Sequence, residues 1–388
     1  MHYDFDKFIE RRNTGSGKWD TYDDDVIPMW VADMDFAVAK EIKVALTQRV
    51  NHAVFGYSAK TLPNLLNTIC ERTQTLYNWH IKPEEIMFFP GLGSALNVFC
   101  NAFGKPGDEV LIQPPIYFPF MDAITNQNKV VKHAPLIRHD NEQFITYKID
   151  FERLEKTITD KTRMILLSNP HNPVGKMYNK EDLSQLIHIV QKHDLIICSD
   201  EIHCELILSN YKHFPTASIS NDIADRCVTL MAPSKTFNLA GLSCGYAVIQ
   251  NADLLLQMKS ASKGIVPGVN VMGYTAALAA YQHGNHWLNE VLSYLKDNRD
   301  YVIQFLNKYI PNVRTTCPDA TYLMWLDCSQ LNLPSNPQTF FLEEAKLAFS
   351  DGFMFGPGGK GFIRLNLACS RILLASALTR MKNALQDK

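Results

Sequence analysis

MILLSNPHNPVGKMYNKEDLSQLIHIVQKHDLIICSDE, residues 164–201, carries the pattern that decides the fold. Met164 to Ser168 is a short apolar run suited to a strand covered on both faces, and two Asn–Pro dipeptides, a strong turn signal, stop it. Lys180 to His193 then places apolar residues at helical spacing with charge on the other face. Leu195 to Cys198 is apolar again and ends in SDE. Strand, helix, strand in this rhythm predicts a parallel α/β sheet with covered faces. A further strand, Cys227 to Met231, leads into APSKTFNLAGL (Ala232 to Leu242).

In such sheets ligands bind beyond the carboxyl ends of the strands. NPHNPVG (Asn169 to Gly175), SDEIH (Ser199 to His203) and APSK (Ala232 to Lys235) all lie at those ends. A lone lysine is most often a solvated surface cation. Among Ala232, Pro233 and Ser234, however, the stem of Lys235 has room, and a desolvated amine loses its proton readily and becomes a nucleophile. It is then a natural Schiff-base anchor for a carbonyl cofactor. Asp200 reads either as the cap of the segment that follows or as a buried carboxylate that needs a permanent cation, such as a protonated pyridine nitrogen. The NPHNPVG amides either serve the turn or hold a phenolic oxygen.

GLGSAL (Gly91 to Leu96) follows the strand-like IMFFP and opens a helical pattern, a turn that presents free N–H groups to phosphate. FGPGGKGF (Phe355 to Phe362) superficially suggests a nucleotide loop. It lacks a glycine five positions before Gly359, and Gly361 replaces the Ser or Thr after Lys360, so it reads as a mobile glycine loop before FIRLNL. The pairs His188/His193 and His283/His286 form no convincing metal set, and no metal is expected.

The chain of 388 residues is 46% hydrophobic and 20% charged, an ordinary globular balance with length enough for more than one domain. A formal net charge of -2 gives no reason to expect nucleic acid or an anionic membrane as partner. The nine cysteines are scattered without a CxxC pair, and several sit in apolar runs as reduced thiols do. MHYDFDKFIERR lacks the apolar centre of a signal peptide, so a cytoplasmic location is expected. After about Tyr281 long helical patterns (Trp287 to Tyr309) precede a few strands (Tyr322 to Leu326, Gly361 to Leu367) and a final helix. This predicts a smaller α+β unit at 284–388, joined by an N-terminal segment 1–43, beside a large domain at 44–283.

PMWVADMDF (Pro28 to Phe36), FGY (Phe55 to Tyr57), PPIYFPF (Pro114 to Phe120), NPHNPVG, SDEIH, PSKTFNLAGL and FIRLNLACS (Phe362 to Ser370) occur in one order along nearly the whole chain. In this the chain resembles the fold-type I, pyridoxal-phosphate-dependent aminotransferase superfamily, and more narrowly the MalY/PatB-type cystathionine β-lyases. The resemblance implies a large domain with a mostly parallel seven-stranded sheet covered by helices, a smaller α+β domain, pyridoxal 5'-phosphate as cofactor, and a homodimer with shared active sites. It implies that Lys235 binds the cofactor covalently and later moves the Cα proton, and that Asp200 pairs with the pyridine nitrogen. Asn172 would hydrogen-bond the ring's phenolic oxygen, with His203 where a tyrosine commonly assists, and Tyr117 would stack on the ring. Leu92 and Gly93 would offer backbone N–H groups to the phosphate, Ser234 a hydroxyl, and Tyr57 would reach it from the other subunit. Arg364 would grip the substrate carboxylate.

The chain departs from the aminotransferase pattern at Ser243, where many relatives carry a phosphate-binding arginine, and at Ala232, where they often carry a hydroxyl. GLGSAL also differs from the valine-containing loop usual among the lyases. The implied activity is elimination of a thiol from L-cystathionine or another S-substituted cysteine, giving pyruvate and ammonia. Transamination uses the same named residues and stays open, as does a cofactor-holding protein with mainly a regulatory partner.

Overall fold

Seven short strands form the central sheet of the computed structural model, which describes residues 2–59, 62–141 and 144–386. They are β1 (Ile86–Phe89), β2 (Glu109–Ile112), β3 (Val130–His133), β4 (Thr162–Ser168), β5 (Ile196–Asp200), β6 (Cys227–Met231) and β7 (Gly245–Val248). Their order across the sheet is β1-β7-β6-β5-β4-β2-β3, with β7 antiparallel to both neighbours and the other pairs parallel. All five residues of β6 are buried, Thr229 among them, which accounts for its mostly apolar run between two layers of helix. The observed β4 and β5 match the strands expected around the Asn–Pro turn to within two residues at either end.

Helix α1 (Leu92–Ala102) follows β1, and helix α2 (Lys180–Lys192) connects β4 to β5. The start of α2 is set by Asn179, whose Oδ1 accepts the Asp182 N–H at 2.7 Å while the Asp182 carboxylate accepts the Asn179 N–H at 3.3 Å. Register places Ser168 opposite Asp200 and Asp200 opposite Leu230, so the polar residues after β4, β5 and β6 share one sheet edge.

The C-terminal part holds helix α3 (Asn285–Tyr309) and helix α4 (Arg371–Gln386) against a second sheet. That sheet contains β8 (Arg314–Thr315), β9 (Leu323–Asp327), β10 (Ser350–Asp351) and β11 (Phe362–Asn366), all antiparallel, in the order β8-β9-β11-β10. The N-terminal segment joins this part: Ile27–Pro28 pairs in parallel with Leu347–Ala348.

The loop 355–362 differs from its expected character. A Cβ on Gly359 would lie 1.9 Å from the Gly352 carbonyl oxygen, and the Gly359 N–H donates to the Gly356 carbonyl at 3.0 Å. Gly359 thus serves close backbone packing, while Gly356, Gly358 and Gly361 take φ of +83, +88 and +84, reasons that sequence alone did not separate from mobility.

Candidate active site

A cavity of about 700 Å³ opens at the carboxyl ends of the central strands, between them and β11. Lys235, Asp200, Asn172, His203, Tyr117, Leu92, Gly93, Ser234 and Arg364 all line it. Nine of the ten residues singled out from sequence therefore meet at one place. Tyr57 does not: it is fully exposed and lines a separate surface cavity with Arg49, Leu62 and Tyr274.

Lys235 sits in the short helical turn Pro233–Thr236 directly after β6. Burial, then repulsion from Arg364, pulls its ammonium pKa down to about 8, against the attraction of Asp33 and Asp200. Its Nζ donates to the Ala32 carbonyl at 2.6 Å. Asp200 ends β5 and is 7% exposed; burial pushes its pKa up to about 7. Its Oδ1 accepts the Ile202 N–H at 3.1 Å within a turn; no helix starts there, so the helix-cap reading gives way to that of a buried carboxylate.

His203 is buried, its Nδ1 has no hydrogen-bond partner, and burial depresses its pKa to about 3, leaving a neutral ring. The Asn–Pro turn is closed by the His171 N–H on the Lys176 carbonyl at 2.7 Å, and the buried His171 ring bridges the Pro115 carbonyl and the Tyr178 hydroxyl. This anchoring fixes Asn172, whose Oδ1 accepts from Arg364 Nη1 at 3.0 Å and whose carbonyl accepts the Tyr117 N–H at 3.1 Å. Its amide nitrogen remains the donor for a ring oxygen.

Arg364 projects from β11 and is 4% exposed. Nη2 donates to the Trp30 carbonyl and to Ser350 Oγ at 3.0 and 3.2 Å, while Nε is buried without a partner. The guanidinium lines the cavity and keeps one N–H without an acceptor, which suits it to an anionic oxygen. Burial alone among the main causes pulls its pKa down to about 10.

The first turn of α1 follows Gly91, which has φ +107 and supplies no side-chain cap. A Cβ on Gly93 would meet nothing within 4 Å, so open space lies above the uncapped N–H groups, as phosphate requires. Ser234 lines the cavity, and its hydroxyl donates to the Cys244 carbonyl at 3.3 Å. Ser243 lines the cavity with φ +50 but brings no charge, and Ala232 caps its turn without a side-chain hydrogen bond.

Trp30, Val31 and Ala32 of PMWVADMDF also line the cavity. Tyr22 and Gln338, which also line it, carried no motif signal, nor did Tyr322, buried beside Ala32. The donor set fits pyridoxal phosphate. There is an amine able to deprotonate near neutrality, a buried carboxylate short of a cation, an amide for the ring oxygen, an uncapped helix start for the phosphate, and an unpaired arginine N–H beside them.

The family model of aminotransferase class I and II matches residues 24–381. The chain is 40% identical to the cystathionine β-lyase PatB of Bacillus subtilis, over 98% of this chain and 99% of that one. It is 33% identical to a cystathionine β-lyase of Corynebacterium glutamicum, over 98% and 100%. The crystal structure of cystalysin from Treponema denticola, which contains pyridoxal 5'-phosphate, superimposes with a TM-score of 0.95 at 33% identity over 100% of both chains.

Proposed function

The chain belongs to the class I and II aminotransferase family, and from that premise we propose that it is a pyridoxal-phosphate-dependent carbon–sulfur β-lyase. Its substrate is an S-substituted L-cysteine such as L-cystathionine, which with one water gives pyruvate, ammonium and a free thiol. The observation that carries this reading is the convergence of Lys235, Asp200 and Arg364 on one cavity at the strand ends. Full-length similarity to cystathionine β-lyases supports elimination over transamination.

When bound, pyridoxal phosphate supplies the electron sink for the negative charge that forms at the substrate's Cα. Arg364 holds the substrate carboxylate through its unpaired edge and fixes the Cα–H bond toward Lys235. Lys235 takes that proton with its neutral amine, a state that its lowered pKa makes accessible near neutral pH. Asp200 would keep the pyridine nitrogen protonated and stay ionised beside it. Asn172 and the neutral His203 hold the ring oxygen, and Tyr117 covers the ring face. Leu92 and Gly93 take the phosphate by backbone N–H.

The reading extends to a homodimer in which Tyr57 completes the neighbour's phosphate site. Val54, Phe55 and Tyr57 form an exposed apolar segment that a second copy would cover. We place the enzyme in the cytoplasm; no helix of the described residues is long and apolar enough to cross a membrane. The division at 283/284 follows the same reading, next to Gly284, between helices Val271–His283 and Asn285–Tyr309, whereas a cut at 43/44 falls inside helix Lys40–His52.

The deciding experiment incubates purified protein with L-cystathionine or an S-alkyl cysteine and follows pyruvate and thiol. Pyruvate and thiol in equal amounts, lost in Lys235→Ala, are expected. Glutamate formed from 2-oxoglutarate at comparable speed, without pyruvate, would make it an aminotransferase. Failure of both with the cofactor still bound would favour a regulatory, partner-binding role.

A further inference from the structure

We infer that Tyr322 is a positioning residue for Lys235, acting through the Ala32 backbone carbonyl that both side chains hold. Lys235 Nζ donates to that oxygen at 2.6 Å and the Tyr322 hydroxyl at 2.9 Å. A carbonyl has two lone pairs, so the two donors fill it. The inference rests on Lys235 being the reactive amine.

Ala32 is fixed where it is. It belongs to a strap, Trp30 to Ala37, whose carbonyls are held almost one by one by side chains from distant elements. Arg364 and Ser350 hold Trp30, Asn366 holds Val31 and Asp33, Asn238 holds Met34 and Phe36, and Trp287 holds Ala37. The strap therefore presents the Ala32 oxygen to Lys235 as a rigid acceptor. A buried tyrosine hydroxyl always needs some partner. Tyr322, fully buried just ahead of β9, takes the one oxygen to which the lysine amine is bonded.

That sharing has a direction. An unshared carbonyl would favour the ammonium form of Lys235, because an ammonium is the stronger donor. A phenol on the same oxygen draws off part of its acceptor strength and turns the positive end of the O–H dipole toward the amine. Around Lys235 the Asp33 carboxylate of the strap and Asp200 of β5 favour the ammonium, Arg364 of β11 opposes it, and His203, after β5, is neutral. Tyr322 joins Arg364 in favouring the free amine.

The test follows cofactor capture and needs no lyase substrate, so it stands apart from the reaction assay. Full-length protein freed of cofactor is mixed with pyridoxal 5'-phosphate across a pH series, and the visible absorbance of the lysine-bound cofactor gives the capture rate. Only the neutral amine condenses with the cofactor's aldehyde, releasing one water, so the pH midpoint reports Lys235. Tyr322→Phe keeps the ring and its edge-on contact with His203, with centroids 6.2 Å apart, and removes only the hydroxyl. We expect the midpoint to move to higher pH, with capture at pH 7 about three- to tenfold slower and the high-pH plateau kept. Tyr322→Leu, which also loses the ring, should show the same shift with a lower melting temperature. An unchanged midpoint in Tyr322→Phe overturns the inference, and so does a shift confined to Tyr322→Leu, which would mark a packing effect.

Discussion

Arg364 Nη1 donates to Asn172 Oδ1 at 3.0 Å, tying β11 of the C-terminal sheet to the Asn–Pro turn after β4. The same guanidinium lies over the Phe355 ring, its Cζ 5.0 Å from the centroid, and keeps Nε unpaired. One planar group thus spans the ring-oxygen amide, the strap and the place for a carboxylate. A lysine offers one point charge and cannot keep all of these at once. Arg364→Lys should raise KM for an S-substituted cysteine by about ten- to a hundredfold, the weight of a lost charged hydrogen bond, with a smaller change in kcat. Steady-state pyruvate release checks this; an unchanged KM would remove Arg364 from the carboxylate.

The lowered pKa of Lys235 has a signature in cofactor capture by the unmodified protein. With a pKa of about 8, the neutral fraction rises through pH 8. Capture should then rise about tenfold from pH 7 to pH 9 and level off there. An ordinary solvated lysine would give about a hundredfold over the same span with no plateau. Stopped-flow absorbance over that range separates the two.

Asp200 is buried, and burial raises its pKa to about 7, so in the free protein it is half protonated near neutrality. A pyridinium partner would pull it fully into the ionised form. Asp200→Asn keeps the shape and removes the charge. Exchange of the substrate's Cα proton with deuterium should fall by about a hundred- to a thousandfold, while the cofactor stays bound through Lys235. Mass spectrometry of recovered substrate measures this without relying on product release.

The part of this site legible in sequence is the part built from strand ends. Ser168, Asp200 and Met231 close apolar runs, so the polar residues after them had to meet at one sheet edge. Arg364 took its role only through family resemblance, because no local pattern says which way a strand arginine turns; for the NPHNPVG amides the resemblance only chose Asn172 between two asparagines. Tyr322 read as one more core aromatic: its partner Ala32 is 290 positions away, and nothing local to TYLMWLD marks a hydroxyl bond of that range. The Ser234 hydroxyl, too, was given to the phosphate only by the resemblance. A partner for that hydroxyl within the chain is equally non-local: β7 returns antiparallel to β6 and brings the Cys244 carbonyl within reach.

Tyr57 gives the sharpest test of the dimer, since it is exposed in its own subunit and absent from the cavity that holds Lys235. If it serves the neighbour, defects at Lys235 and Tyr57 in different subunits fall into the same site of a hybrid and leave its other site whole. Lys235→Ala and Tyr57→Ala proteins, each with little activity alone, should regain activity when unfolded together, mixed in equal amounts and refolded. Random pairing makes half of the dimers hybrid, each with one intact site, so about a quarter of the unmodified activity is expected. Activity no higher than the mean of the two separate proteins would return Tyr57 to its own subunit's surface.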